Sequence, residues 1–336
     1  MAAPLGIEPL NELLRALRRR GYEFVPPTPA THQRVISRDP RREAATLRDV
    51  FGWSLPFREG VLDPEIVALM QQAGVISRRG RHFRSGVRVA SLRGDLFLHS
   101  AYPPGDDAVF FGPDTYRFVD FLISELDGQA CPRSVLDFGA GSGAGAIALA
   151  RLCRPERLVM ADVNPTALTL AAANARFAAV TAELRQADSL GAIDGPFDLV
   201  IANPPFIADG GHTYRNGRGM HGAELSLEWI REGARLLTED GRLLAYTGSA
   251  ICDGRDGLCE ALAQTFGDGA FEFTYREIDP DIFGEELAGP AYGDVERIAA
   301  VGVCVRRRRT ASERREALEG AKLFLGSVIA GAPPRI

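Results

Sequence analysis

The sequence predicts an α/β protein with a doubly wound, Rossmann-like sheet in residues 106–336 and a smaller helical, winged-helix-like domain in residues 1–105. First, 336 residues are about twice the ~150 residues of a typical domain. Second, from residue 134 onward short apolar runs alternate with helical stretches, a pattern typical of parallel strands joined by helical crossovers. Third, a Pro/Gly/Asp cluster at 102–107 has the composition of a linker.

The N-terminal part begins with residues at helical spacing and ends with a strand-like pattern. Apolar residues at a period of 3.6 predict helices at 8–20, 40–50 and 63–73, with a proline-rich connector between the first two. Alternation from His82 to Ser100, broken at Arg93-Gly94-Asp95, predicts a hairpin. Helices followed by a basic hairpin favour the winged-helix-like domain.

The larger part reads as strand and helix in turn. Strands are expected at 134–138, 157–162, 182–185, 197–202 and 242–247, and helices at 143–152, 165–178 and 223–237. The last two apolar runs, 271–278 and 297–306, have no obvious helix between them. We therefore expect them to form an antiparallel pair at the sheet edge.

Charge is divided unevenly along the chain. Residues 1–105 carry 16 arginines against 10 acidic residues, whereas the whole chain has a net charge of −5, which leaves −11 on the remainder. An acidic chain is poorly suited to wrapping a long duplex, because phosphate contacts supply most non-specific affinity. The basic part remains a candidate docking surface for an acceptor, although a GC-rich coding bias explains the arginines more simply.

Composition also bears on compartment. The five cysteines form no CxxC pair, which argues against a disulfide framework or a zinc knuckle. No apolar run approaches the ~18–20 residues needed to cross a bilayer, and Glu8 and Glu12 interrupt the position of a signal-peptide core. These features favour a cytoplasmic protein without a membrane partner, and no metal site is expected because His212 and His221 lack acidic or thiol partners nearby in sequence.

A glycine-rich turn follows the first strand of the larger part. The run from Asp137 to Gly143, DFGAGSG, puts a buried strand directly before a turn that opens a helix. Glycine permits a ligand to approach the backbone closely, so this turn predicts a nucleotide-like cofactor at the carboxyl end of the strand. Asp162 ends the next strand and is placed to bind ribose hydroxyls, although it could instead cap the following helix ahead of Pro165.

The sequence Asn203-Pro204-Pro205-Phe206 follows the buried strand at 197–202. Two prolines stiffen the loop and remove two backbone donors. The Asn203 side-chain oxygen and the Pro204 carbonyl can then accept hydrogen bonds from one NH2 group, and Phe206 can stack on the planar group that bears it. The motif predicts a site that orients a planar amine for attack on an electrophile.

Together, DFGAGSG, Asp162, Asp188 and NPPF resemble class I S-adenosylmethionine-dependent methyltransferases, in the N-methylating branch that includes small-domain and protein-glutamine enzymes. The resemblance covers about residues 108–306 and implies a seven-stranded Rossmann-like sheet with S-adenosylmethionine as cofactor. It implies these cofactor-binding residues: Asp137, Gly139, Ala140, Gly141, Gly143, Asp162, Val163, Asp188, Ser189 and Asn203. It places the acceptor nitrogen at a catalytic motif of Asn203, Pro204, Pro205 and Phe206.

The acceptor is left open by the same comparison. Release-factor glutamine methyltransferases usually have NPPY behind a helical domain, and ribosomal-RNA guanine enzymes usually continue NPPF with His, where this chain has Ile207. Tyr214 and Tyr292 join Phe206 as candidate substrate-binding residues. The predicted function is therefore N-methylation of a macromolecular amide or amino group, in a translation protein or in RNA or DNA.

Two other functions stay open. An NAD-dependent oxidoreductase shares the glycine turn and the acidic residue but leaves NPPF unexplained. A non-catalytic module that senses the cofactor or binds RNA would bind without turnover.

Overall fold

The computed structural model describes residues 5–39, 42–105, 107–209, 214–267 and 269–308. In the N-terminal part, four helices precede two antiparallel hairpins. The helices are α1 (Ile7–Arg19), α2 (Pro29–Ile36), α3 (Leu47–Phe51) and α4 (Pro64–Gln72), and the hairpins pair β1 (Ile76–Arg79) with β2 (His82–Ser85) and β3 (Val87–Leu92) with β4 (Asp95–Ser100). The predicted order of helices followed by strands is confirmed. The single hairpin predicted from His82 to Ser100 is wrong in extent, because β2 pairs with β1 and only β3 and β4 form the hairpin about Arg93-Gly94.

Helix boundaries differ from the prediction near residue 40. Helix α2 occupies part of the expected connector, because Thr28 caps its N-terminus and Pro29 sits in the first turn, where a missing N–H costs nothing. Helix α3 begins only at Leu47, where Thr46 and Asp49 form a capping box. The expected helix start at Pro40 lies outside the described residues.

The larger part contains five further helices and eight further strands among the described residues. They are α5 (Pro113–Leu126), β5 (Ser134–Phe138), α6 (Ala144–Cys153), β6 (Arg157–Asp162), α7 (Pro165–Phe177), β7 (Glu183–Gln186), β8 (Phe197–Ala202), α8 (Glu224–Arg235), β9 (Leu237–Cys252), β10 (Arg255–Asp256), α9 (Gly257–Thr265), β11 (Phe271–Asp279) and β12 (Arg297–Arg307). The sequence pattern missed α9, which Asp256 caps.

Seven strands form one sheet in the order β11-β12-β9-β8-β5-β6-β7, and the short β10 pairs with β9 beside it. Strands β5 to β9 are mutually parallel, whereas β12 lies antiparallel between β9 and β11. The predicted seven-stranded α/β sheet and its antiparallel edge pair are confirmed.

Helices cover both faces of this sheet. Successive residues of β8 enter different cores: Leu199 and Ile201 pack in a cluster with residues of α5 and α6, and Val200 packs with residues of α8 and α9. Side chains alternate faces along a strand, so a strand buried on both sides reads as one apolar run. The sheet is therefore doubly wound.

The N-terminal part shares a hydrophobic core with helix α7. Leucines of α1 lie in one cluster with Ala173 and Phe177 of α7. Asp95, buried at the start of β4, accepts a hydrogen bond from Arg18 at 3.0 Å and one from Arg151 of α6 at 3.2 Å. Both apolar and charged contacts thus connect the two parts across the predicted boundary at 105/106.

Candidate active site

Strand register brings three loops together at one edge of the sheet. Phe138, the last residue of β5, pairs with Ala161 of β6 and with Ala202, the last residue of β8. The chain leaves β5 toward β6 on one side, whereas β8 lies on the other side. The loops after β5, β6 and β8 therefore border one crevice at the point where the strand order reverses, which is where open α/β sheets bind ligands.

The glycine turn after β5 is tied to the end of β6. Gly139, Gly141 and Gly143 have φ of 71°, 54° and 77°, which L-residues with a Cβ adopt only under strain. The amides of Gly139 and Ala140 donate to the Ala161 carbonyl at 2.8 and 3.0 Å. A Cβ on Gly139 would lie 2.6 Å from the Trp229 ring, so this position excludes larger residues.

The carboxylate of Asp162 supports this turn. Asp162 accepts from the Gly141 and Asn164 amides, both at 2.9 Å, and burial raises its pKa. A carboxylate has about four lone-pair directions, and backbone donors already occupy at least two of those of Asp162. Asn164, and not Asp162, caps α7 by accepting from Thr166 at 2.9 Å, so the capping alternative is wrong.

Asp137 lies at the end of β5 and is 2% exposed. Its Oδ2 accepts from the Ala146 amide of α6 at 3.0 Å. Burial, together with the nearby Asp162 charge, raises the pKa of Asp137 to about 7. This carboxyl therefore titrates near neutral pH beside the glycine turn.

The predicted adenine end of the cofactor site is solvent-accessible. Val163, 61% exposed, follows β6, and Asp188 and Ser189 are exposed after β7. An exposed apolar side chain suits the face of a base, and polar side chains suit its edge. The roles of these residues stay predictions.

One side-chain oxygen in the NPPF loop has an unusual environment. The Asn203 side-chain Oδ1 is buried and has no hydrogen-bond partner among the described residues. A buried acceptor without a donor costs about 1–3 kcal/mol, so it is kept where a ligand satisfies it. Phe206 is 8% exposed and packs edge-to-face on Phe283, with ring centroids 5.8 Å apart, and its ring also contacts Gly248 of β9.

The segment after NPPF is fixed by several contacts. The Tyr292 hydroxyl accepts from the Ala208 amide at 2.7 Å. Ile207 donates to the Arg215 carbonyl at 3.0 Å, and the Arg215 guanidinium forms a bidentate pair with Glu286 at 2.7 and 3.0 Å. Residues 210–213, including His212, lie outside the described residues.

The three predicted substrate-binding aromatic residues do not all line one surface. Tyr292 supports the backbone next to Phe206, whereas Tyr214 lines a pocket with Arg88 and Tyr102 of the N-terminal part. Their predicted contact with substrate remains untested by this geometry.

Two polar residues that the motifs did not include also support the site. Tyr246 of β9 donates to Asp114 in the first turn of α5 at 2.6 Å. Asn174 of α7 accepts from the Leu98 amide at 2.8 Å and donates to the Leu98 and Ser142 carbonyls at 3.1 and 2.9 Å. The sequence signal for Asn174 was its position on the apolar face of a helix, where a polar residue needs partners.

The reason given for expecting no metal site does not hold in the fold. Folding brings Asp294 to 3.0 Å from His221 Nε2, and a Cys252 ligand atom lies within 4.8 Å of both. The spacing of acidic and thiol residues along the sequence is thus no argument about this group. That the protein uses no metal stays a prediction.

Comparison with known proteins identifies the family of one segment of the chain. Residues 111–266 match the family model of the methyltransferase small domain. This segment is a class I methyltransferase domain. For this segment the predicted methyltransferase domain is confirmed in place of an NAD-dependent oxidoreductase domain, and S-adenosylmethionine is the cofactor that such a domain implies.

Curated relatives cover part of the chain. The chain is 42% identical to the release factor glutamine methyltransferase of Chlorobaculum tepidum over 44% of this chain and 54% of the relative, and 34% identical to that of Bordetella pertussis over 52% and 56%. A solved ribosomal protein L11 methylase from Lactobacillus delbrueckii shares 19% identity over 58% of this chain and 80% of its own, with a TM-score of 0.40. The chain thus spans about half the length of these two curated relatives.

None of the described helices combines the length and apolarity required to cross a bilayer.

Proposed function

We propose that the protein transfers a methyl group from S-adenosylmethionine to a planar NH2 nitrogen held at Asn203 and Pro204, and that the acceptor is a glutamine side chain of a translation protein. The observation that carries this proposal is the buried, unpartnered Asn203 Oδ1 at the end of β8. A carboxamide NH2 has two N–H donors, and Asn203 Oδ1 and the Pro204 carbonyl provide two acceptors.

The reaction needs little acid–base catalysis from the protein. The sulfonium cofactor supplies an activated methyl group, so the residues mainly align nitrogen, carbon and sulfur and exclude water. As the nitrogen bonds to the methyl carbon, the carbon–sulfur bond would break and S-adenosylhomocysteine would leave with the electron pair. The Asn203 and Pro204 oxygens stabilise the positive charge that develops on the nitrogen, and one of its N–H protons would pass to solvent after transfer. Phe206, packed against Phe283 and Gly248, and the stiff Pro205 hold this geometry in place.

The cofactor is proposed to lie along the crevice. The glycine turn, with Asp137 and Ala140, borders the methionine part, and the Asp162 carboxylate borders the ribose. Val163, Asp188 and Ser189 border the adenine.

Charge pairing favours a protein acceptor over a nucleic acid. Within the described residues, seven of the 16 arginines of the N-terminal part form ion pairs with carboxylates of the same chain: Arg15, Arg18, Arg19, Arg20, Arg42, Arg58 and Arg93. Paired arginines release few counterions from a phosphate backbone, so they add little non-specific affinity. The names of the two curated relatives point the same way. The N-terminal part is then proposed to dock a protein.

The test separates binding from turnover. Asn203→Ala is expected to lower methyl transfer to a glutamine-containing acceptor about 10²–10³-fold, because one stabilising acceptor is lost. Its affinity for S-adenosylhomocysteine in calorimetric titration should fall far less than its turnover. Asn203→Asp keeps the acceptor oxygens and should retain part of the activity, and Gln264→Ala on the exposed face of α9 serves as the matched control.

Unchanged turnover in Asn203→Ala would refute the assigned role. RNA replacing peptide as the methylated acceptor would refute the glutamine assignment. Binding without turnover on either acceptor would favour a non-catalytic, cofactor-sensing module.

A further inference from the structure

A pocket lies where the N-terminal part meets the segment that leads into α5. Its walls include Arg88 and Ser100 of the β3–β4 hairpin, Tyr102, Phe111 and Tyr214. Val109, also in its lining, lies 4.0 Å from the position that a Cβ on Gly141 would occupy. The pocket therefore adjoins the glycine turn, and Tyr214 connects it to the chain that follows NPPF.

Arg88 has no countercharge in this pocket. Its Nε donates to the Ser100 carbonyl at 3.1 Å and its NH1 lies 3.4 Å from His32 Nδ1, and within the described parts of the chain no carboxylate lies at ion-pair distance. Burial lowers the pKa of Arg88 to about 10, which still leaves the side chain charged at pH 7. A desolvated cation without an anion is costly, so the fold retains it where a ligand supplies the charge.

Two buried histidines neighbour Arg88, and neither is part of the pocket lining. His99 is the cross-strand neighbour of Arg88, and both of its ring nitrogens lack partners among the described residues, as does His32 Nε2. Burial lowers the pKa of His32 to about 4 and that of His99 well below its usual range. Both rings are therefore neutral at pH 7, and each carries one N–H donor.

We propose that this pocket binds a carboxylate side chain of the acceptor peptide, close in sequence to the glutamine that is methylated. A single guanidinium balances the single charge of a carboxylate, and its flat donor edge suits that group. The proline and aromatic walls contributed by Pro27, Pro29 and Tyr102 accommodate the methylene part of an acidic side chain better than a charged, strongly hydrated phosphate backbone. This inference rests on the proposed glutamine acceptor.

Binding and turnover are measured on paired peptides. One fluorescein-labelled synthetic peptide carries glutamine flanked by glutamates, and its twin has those glutamates replaced by glutamine. Anisotropy on the full-length protein with S-adenosylhomocysteine should show the acidic peptide binding about 10- to 100-fold more tightly, since a charge-assisted hydrogen bond contributes that much. Arg88→Gln should remove this preference without changing affinity for the neutral twin, and Arg88→Lys should restore part of it.

Arg93→Gln on the same hairpin is the matched control, because Arg93 is exposed and already paired with Asp120 at 2.8 Å. Circular dichroism checks that Arg88→Gln is folded. An equal acidic-to-neutral ratio in wild type and Arg88→Gln overturns the inference. Loss of S-adenosylhomocysteine affinity in Arg88→Gln also overturns it, by assigning Arg88 to the cofactor, and so does Arg88-dependent binding of an RNA oligonucleotide in place of the peptide. If the proposed function is wrong, neither peptide is methylated. The ratio of the affinities for the acidic and the neutral peptide, measured by anisotropy, still tests the role of Arg88.

Discussion

Asn174→Ala tests whether the N-terminal part supports the glycine turn. The Asn174 side chain is 1% exposed and makes three hydrogen bonds, to both backbone groups of Leu98 in β4 and to the Ser142 carbonyl in the turn. Alanine leaves these three backbone groups buried without partners. Each unsatisfied group costs about 1–3 kcal/mol, and partial relaxation reduces the sum, so we expect a loss of about 3–5 kcal/mol in unfolding free energy.

The assay is urea unfolding followed by circular dichroism, together with calorimetric titration of S-adenosylhomocysteine. Because Ser142 lies within the glycine turn, affinity for that ligand should also fall. Thr169→Ala on the same helix is the matched control: its hydroxyl donates to the Pro165 carbonyl at 2.9 Å in an exposed position, so its removal should cost less than about 0.5 kcal/mol. An unfolding free energy for Asn174→Ala equal to that of the control would refute this account of the turn.

Two further predictions concern the crevice. The pKa of Asp137, about 7 in the fold, lies above the ~3.9 of an unfolded Asp, so the native state binds more protons between these values and its stability falls as pH rises. Relative to Asp137→Asn, the wild type should lose about 2–3 kcal/mol of unfolding free energy from pH 5 to pH 8, and a difference independent of pH would contradict the assigned titration. Gly248→Ala should lower methyl transfer with little change in S-adenosylhomocysteine affinity, because the added Cβ overlaps the Phe206 ring and displaces NPPF; unaltered kcat and KM would show that Phe206 position is immaterial.

Local sequence signals were sufficient for most of the sheet. Strands such as β5 and β8 are buried on both faces, so they read as apolar runs that end at Gly139 and Asn203, and turn residues mark their ends. The pattern failed at α9, where Gly257 opens a short helix, and at α2, where prolines look like a connector. In both places a capping side chain, Asp256 or Thr28, determines the helix start more than periodicity does.

Some residues of the site could likewise be predicted from the sequence, and others could not. The glycine turn, Asp162 and NPPF each follow a strand directly, so order along the chain translates into proximity at one sheet edge. Arg88 and Asn174 carry no such signal, since Arg88 looks like one arginine among many and Asn174 like one polar residue in a helix. Their roles depend on partners that lie far away in sequence, which only the packing of the two parts reveals.

Several residues that the motifs missed join the N-terminal part to the methyltransferase domain. Asn174 connects β4 to the glycine turn, Asp95 connects Arg18 of α1 to Arg151 of α6, and the Arg88 pocket lies between the hairpin and Tyr214. A rigid shift of the hairpin would break the two buried hydrogen bonds between Leu98 and Asn174, each costing about 1–3 kcal/mol. Any movement of the N-terminal part on docking an acceptor must therefore be small, or it must release the Asn174 side chain, which also holds the Ser142 carbonyl of the glycine turn.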